Sequence, residues 1–107
     1  MNNPLSLVPP SDPEQKAESL LTRAEAILTF LNQKAGRRFP ARTPRGQPTS
    51  ALLLIVDRLK DGWLDADFRS VIALKWRNCR TDKDKYYMRP ETLFRKSNFE
   101  SALGELE

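Results

Sequence analysis

Apolar residues recur every three or four positions over the first third of this 107-residue chain. They are Ala17, Leu20, Leu21, Ala24, Ile27, Leu28 and Leu31. This spacing is typical of an amphipathic helix that buries one face, and it predicts a helix of about six turns. Ser11 is placed to cap its start, with Glu14 three residues on and Pro13 tolerated in the first turn. Gly36 is the expected stop.

Two more helices are predicted in the middle of the chain. The first begins at Thr49 or Ser50 and runs through Lys60, with Gly62 ending it. The next is expected to take Asp65 as its N-cap. It carries the apolar positions Phe68, Val71, Ile72 and Trp76.

The last part of the chain has shorter elements. The polar run 81–85 is expected to break the helical pattern, and Pro90 to start a single turn that inserts Leu93 and Phe94 into the core. A short final helix beginning near Ser97 or Asn98 is expected to pack three apolar residues. They are Phe99, Leu103 and Leu106. No stretch alternates as a strand does.

The chain is therefore predicted to be all-α, a compact small bundle of about four helices with a short extra turn near Pro90. Residues 1–10 read as a disordered leader because they hold three prolines, and residues 11–107 as one domain. The longest apolar run has six residues and the N-terminus lacks a signal pattern, so we expect a cytoplasmic protein with no membrane association.

The positive charge is concentrated in two segments. The chain has 18 Lys and Arg against 14 Asp and Glu, a net charge of +4. Residues 34–46 hold five cations and no acid, and residues 75–96 hold eight cations and three acids, so each segment carries +5. Segregated charge of this kind is typical of nucleic-acid binding, because affinity comes from neutralising phosphates locally. The alternative is a pair of solvated basic loops.

The candidate nucleic-acid contacts follow from these two segments. In the first, a loop rich in proline and glycine, they are Arg37, Arg38, Arg42 and Arg45. In the second they are Arg77, Arg80, Lys83, Lys85, Tyr86 and Arg89. Exposed aromatics beside cations suit single strands, since bases stack on the ring while phosphates meet the charge. By alternation, one of Tyr86 and Tyr87 is expected in the core and the other to stack. For Arg89, a buried structural pair and a phosphate contact are equally favoured.

No combination of residues expected of an enzyme is present. The chain has no histidine and one cysteine, Cys79, which excludes imidazole and thiolate metal sites. Four carboxylates lie within eleven residues: Asp57, Asp61, Asp65 and Asp67. They lack the supporting ligands and the glycine pattern of a metal loop, and there is no phosphate-binding glycine loop. We expect no enzyme activity, no cofactor and no metal.

Several motifs resemble a known family. Met88-Arg89-Pro90-Glu91-Thr92-Leu93-Phe94, followed by Phe99-Glu100, resembles the "LRPETLF…FE" signature at the C-termini of phage replication-initiation and replisome-organiser proteins. Three upstream segments extend it: residues 27–39, residues 58–63, and Asp67-Phe68 with Val71-Ile72. Met88 stands where leucine is usual, and Arg95 where glycine is usual. More distantly, Phe68, Ile72 and Trp76 are similar to the "Tyr-x-x-x-Ile-x-x-x-Trp" motif of DnaD-type primosomal proteins, although their spacing alone predicts core.

The resemblance implies a role in starting replication of a phage or prophage genome. The implied activity is non-enzymatic, non-specific DNA binding, with single strands favoured, and recruitment of the host replicative helicase or initiator. Relatives usually carry an N-terminal winged-helix domain, so this chain is expected to be a fragment or a stand-alone accessory form. The alternative is a protein–protein docking module, or an inhibitor of host replication, whose first helix is the contact surface and which does not bind DNA usefully.

Overall fold

The computed structural model describes residues 13–106, with side chains from Ser19 onward. The 1–10 leader and the Ser11 cap lie outside the described residues, as does the side chain of Glu14. Six helices follow in order: α1 (Pro13–Ala35), α2 (Ser50–Lys60), α3 (Asp65–Arg77), α4 (Asp82–Tyr86), α5 (Pro90–Leu93) and α6 (Lys96–Glu105). Within residues 13–106 there is no strand, only one isolated bridge between Arg42 and Pro48. The all-α prediction, with four helices of substantial length, is confirmed.

The ends of α1 and α2 lie where the sequence predicted them. Gly36 and Gly62 follow the two helices with φ of 66° and 105°, a left-handed conformation that glycine adopts without steric cost. At the start of α2, the Thr49 hydroxyl accepts a hydrogen bond from the Leu52 amide. The two glycines and the Thr49 side-chain cap, all local features of the sequence, therefore set these helix ends.

The start of α3 differs from the prediction that Asp65 caps it. Leu64 occupies the cap position, and its backbone N–H donates to the Asp67 carboxylate at 2.8 Å. The Asp65 carboxylate instead accepts from the Arg23 guanidinium at 2.6 Å and 2.9 Å, which ties α3 to α1. Asp65 pairs with the distant arginine and does not cap the helix, because a hydrogen bond from a charged guanidinium is stronger than one from a neutral backbone amide.

The polar run 81–85 also differs from the prediction, since it forms most of α4. Thr81 caps this short helix by accepting from the Asp84 amide at 3.1 Å, and Asp82 and Asp84 lie in the first turn where a helix N-terminus favours acids. Capping and charge supply the helix signal here, without apolar periodicity. The predicted turn at Pro90 is confirmed as α5.

The core lies where α1, α2 and α3 pack against one another, with α5 on α2 and α6 on α3. Three buried phenylalanines join these layers: the Phe99 ring centroid is 4.8 Å from that of Phe68 and 6.0 Å from that of Phe94. Trp63, from the α2–α3 turn, meets Phe99 edge-on at 6.0 Å. Leu93 is buried as predicted, whereas Leu106 is 42% exposed and does not pack in the core.

Burial also extends to one cation on α2. Arg58 is 9% exposed, and its guanidinium lies 2.9 Å from the Asp61 carboxylate and 3.5 Å from the Phe94 carbonyl oxygen. This contact joins the end of α2 to the residue that follows α5. No helix in the described part of the chain is both long enough and apolar enough to span a membrane.

Candidate nucleic-acid interface

The basic loop between α1 and α2 has a defined conformation. Asn32, on the last turns of α1, donates from its amide to the Phe39 carbonyl at 3.1 Å and accepts from the Phe39 N–H at 2.9 Å. Further along, the Gly46 N–H donates to the Thr43 carbonyl at 2.8 Å, and the Thr49 hydroxyl donates to the Pro40 carbonyl at 2.8 Å. The loop is thus closed by hydrogen bonds at both ends.

The four arginines of this loop are exposed but differ in their contacts. Arg42 lies 3.6 Å from the Glu25 carboxylate of α1 and donates to the Gly46 carbonyl at 3.0 Å, so its charge is partly neutralised. The Arg37 guanidinium donates to the backbone carbonyl of Lys85 at 3.1 Å. This contact joins positions 48 residues apart and places the first basic segment directly against the second.

Aromatic rings and cations alternate on the surface around α4. The Arg89 guanidinium carbon lies 4.6 Å from the Tyr86 ring centroid, and its Nη1 is 3.3 Å from the Tyr86 hydroxyl. Tyr86 meets Tyr87 edge-on at 5.5 Å. On the other side, the Lys85 ammonium lies 5.8 Å from the ring centroid of the half-buried Trp76. Each close cation–ring contact of this kind is worth about 0.5–1 kcal/mol at an exposed site.

The expectation that one tyrosine is buried is wrong. Tyr86 is 53% exposed and Tyr87 is 46% exposed. Strand-like alternation does not apply, because Tyr86 ends α4 and Tyr87 is its C-cap. Met88, the next residue, turns inward and is buried. Both rings therefore lie on the surface beside the cations.

Arg89 matches neither alternative completely. It is half-buried, stacks on Tyr86 and forms no ion pair with the side chains described from Ser19 to Leu106. Its Nε is buried without a hydrogen-bond partner among these residues. The guanidinium is therefore held by an aromatic ring, and its charge is not cancelled by a carboxylate.

The remaining predicted contacts are exposed cations on the same part of the chain. The side chains of Arg77, Arg80 and Lys83 are solvent-exposed, as are those of Arg38 and Arg45 in the loop. The Arg80 backbone N–H donates to the Asp84 carboxylate at 2.9 Å. This hydrogen bond, with those from Thr81, lowers the pKa of Asp84 below its ordinary value. Asp84 therefore stays ionised and supports the turn that carries these cations.

The structure brings together Arg37, Lys85, Tyr86 and Arg89, and leaves Arg42 tied to α1. Two further residues, Tyr87 and Trp76, belong to this surface although neither was among the predicted contacts. For Tyr87, the sequence allowed either a core position or a stacking position. Trp76 was assigned to the core by its spacing with Phe68, whereas its position at the end of α3, among cations, was the signal for partial exposure.

Three of the four carboxylates in the middle of the chain make structural contacts. Asp61 pairs with Arg58, Asp65 with Arg23, and Asp67 accepts from the Leu64 amide. In the described range, no group of three or more Cys, Asp or Glu side chains is arranged to hold a metal ion.

Comparison with known proteins gives one family match. Residues 27–104 match the family described as the conserved phage C-terminus. No curated protein and no solved structure matches the chain. The matched range covers most of the chain and includes the C-terminal part of α1, all of α2 to α5, most of α6, and the whole basic and aromatic surface. The chain belongs to the conserved phage C-terminus family.

Proposed function

We propose that this domain binds single-stranded DNA without sequence specificity and without catalysis, in the initiation of phage or prophage DNA replication. The observation that carries the proposal is the hydrogen bond from the Arg37 guanidinium to the Lys85 carbonyl. It joins two segments of local charge +5 into one surface. A strand crossing this surface would meet cations from both segments.

The aromatic side chains favour a single strand over a duplex. Tyr86 and Tyr87 are both about half exposed and lie next to Arg89 and Lys85. In a duplex the base faces are covered by neighbouring bases, whereas in a single strand they can stack on protein rings. Each such stacking contact is worth about 1–3 kcal/mol.

The resemblance of Met88–Phe94 and Phe99-Glu100 to replisome-organiser proteins supports placing this binding at a replication origin. In that setting the domain holds exposed single strand and helps to recruit the host replicative helicase or initiator. This part of the proposal rests on the resemblance and on membership of a phage family.

The test is fluorescence anisotropy with labelled single-stranded and duplex oligonucleotides in about 50 mM salt, where phosphate contacts are strong. The test variant is Arg38→Glu/Lys83→Glu, because both side chains are exposed and neither makes a hydrogen bond or ion pair within the described residues. The matched control is Lys60→Glu/Arg69→Glu, which changes net charge equally at exposed positions on α2 and the first half of α3.

We expect the wild type and the control to bind the single strand more tightly than the duplex, and the test variant to lose most of its affinity. Equal losses in both variants would indicate net charge alone and count against a defined interface. No binding by the wild type at low salt would overturn the proposal. The protein–protein docking alternative would then be pursued with purified host helicase as the probe.

A further inference from the structure

A cleft of about 370 Å³ opens beside the exposed tyrosines. The end of α3 and the α4–α5 segment form one side of it, and α6 forms the other. Tyr87 lines its edge, Met88 and Leu93 supply apolar wall, and Asp84, Asn98 and Ser101 supply polar groups. Its volume lies at the lower end of the range for small-ligand sites, about 300–1,000 Å³.

The polar groups of the cleft favour an uncharged ligand that forms hydrogen bonds. Asp84 is ionised and repels phosphate. Its carboxylate already accepts from the Arg80 N–H at 2.9 Å, and because the side chain is exposed and a carboxylate has about four lone-pair sites, it can accept a further hydrogen bond from a ligand. Asn98 donates to the Thr92 carbonyl at 2.8 Å, which leaves its side-chain oxygen as an acceptor. The one cation of the lining, Lys75, is neutralised by Glu105 at 3.0 Å.

The cleft continues the aromatic surface described above. Arg89 stacks on Tyr86, Tyr86 touches Tyr87, and Tyr87 forms the edge of the cleft. Cations therefore lie along the outside of this surface, while its inner end offers an aromatic edge, apolar wall and hydrogen-bond acceptors. A nucleotide strand matches this arrangement, because its phosphates can contact the cations outside while a flat base enters the cleft.

We propose that the cleft receives one unstacked nucleobase of a bound single strand, with its sugar-phosphate backbone on the cations outside. This inference rests on the proposed single-strand binding and adds a base-recognition site to it. The acceptors of Asp84 and Asn98 favour bases with an exocyclic amino group. Cytosine offers such a donor at N4, whereas thymine presents an acceptor at the equivalent position.

The first experiment uses the wild-type protein and three oligonucleotides of equal length: oligo-dC, oligo-dT and an abasic strand. The two pyrimidine strands present the same phosphates and differ in the donor, while the abasic strand keeps the phosphates alone. We expect oligo-dC to bind about tenfold more tightly than oligo-dT, in line with one specific base contact. The abasic strand should bind most weakly.

Two variants locate the site. Ser101→Phe fills the cleft from α6, and its matched control, Ser97→Phe, adds the same ring at an exposed position of α6 that does not line the cleft. Ser101→Phe should lower oligo-dC affinity about tenfold and leave abasic binding unchanged. Asp84→Asn keeps an acceptor for the Arg80 N–H but adds a donor, so it should reduce the dC preference towards equality.

The outcomes separate this inference from the proposed function. Equal affinity of the wild type for all three strands would retain single-strand binding and overturn the base site. A Ser101→Phe protein that melts like the wild type and still binds oligo-dC normally would also overturn it. Failure of every strand to bind at low salt would overturn the proposed function as well. Because the strand comparison uses the wild type, it decides the matter even if Ser101→Phe fails to fold.

Discussion

Removing two cations should change the salt dependence of DNA binding by a calculable amount. The Arg37–Lys85 contact and the Arg89–Tyr86 contact bring three cations together, and Arg38 and Lys83 are exposed neighbours of these residues along the chain, which makes five cations in all. If each neutralises one phosphate, the slope of log affinity against log salt is about −3.5 for a single strand, since each contact contributes about −0.7. A fourfold rise in salt, from about 50 to 200 mM, then weakens binding by about 130-fold.

The double variant Arg38→Gln/Lys83→Gln leaves three of these contacts. Its slope should be about −2.1, so the same rise in salt weakens binding by only about 20-fold. The variant should also bind more weakly than the wild type at the lower salt. Both side chains are exposed and make no contact that the fold requires, so the melting temperature should change little.

The assay is a salt titration followed by anisotropy with one labelled oligonucleotide, at about 50, 100, 150 and 200 mM salt. Lys60→Gln/Arg69→Gln serves as the control, because it removes the same charge from exposed positions outside the surface. Its slope should stay near the wild-type value. A slope unchanged in the Arg38→Gln/Lys83→Gln protein would refute the argument, because it would show that neither cation contacts a phosphate.

Three further predictions concern the fold itself. Phe99→Ala should lower the free energy of unfolding by about 3–5 kcal/mol in urea titrations, because the ring is fully buried among other aromatics. The control Leu106→Ala, at an exposed position, should change the free energy of unfolding by less than about 0.5 kcal/mol. Equal effects of the two substitutions would contradict the packing described. Asp67→Ala should cost about 1 kcal/mol by removing the acceptor of the Leu64 N–H, and an unchanged unfolding midpoint would argue against that cap. Burial raises the pKa of the Cys79 thiol above its ordinary value, so alkylation by iodoacetamide at pH 8 should be slower in the folded protein than in urea, where the thiol is exposed. Equal rates in the two conditions would refute this.

The longer helices were predictable because their signals are local. The spacing of apolar residues along α1 and the glycines at positions 36 and 62 depend on the nearest few residues, and the structure follows them. The start of α3 was not predictable in the same way. The sequence favours Asp65 as the N-cap, but Asp65 pairs with Arg23, which lies 42 residues away along the chain.

The candidate surface was predictable in composition but not in arrangement. Charge counting located both basic segments, yet nothing in the sequence relates Arg37 to the carbonyl of Lys85. The exposure of both tyrosines depends on α4, a five-residue helix capped by Thr81. Because α4 has no periodic apolar residues, hydrophobic patterning does not predict it. The cleft needs α3, α4 and α6 together, so its shape arises only from tertiary packing.

The two hydrogen bonds between Asn32 and Phe39 have a thermodynamic consequence for any ligand of the basic loop. A flexible loop loses conformational entropy when a ligand orders it, and that loss subtracts directly from affinity. Here the backbone at Phe39 is already fixed to α1, and the Arg37 side chain already lies against α4. The loop is therefore ordered before a ligand binds. Less conformational entropy is lost on binding, so more of the electrostatic attraction contributes to the affinity.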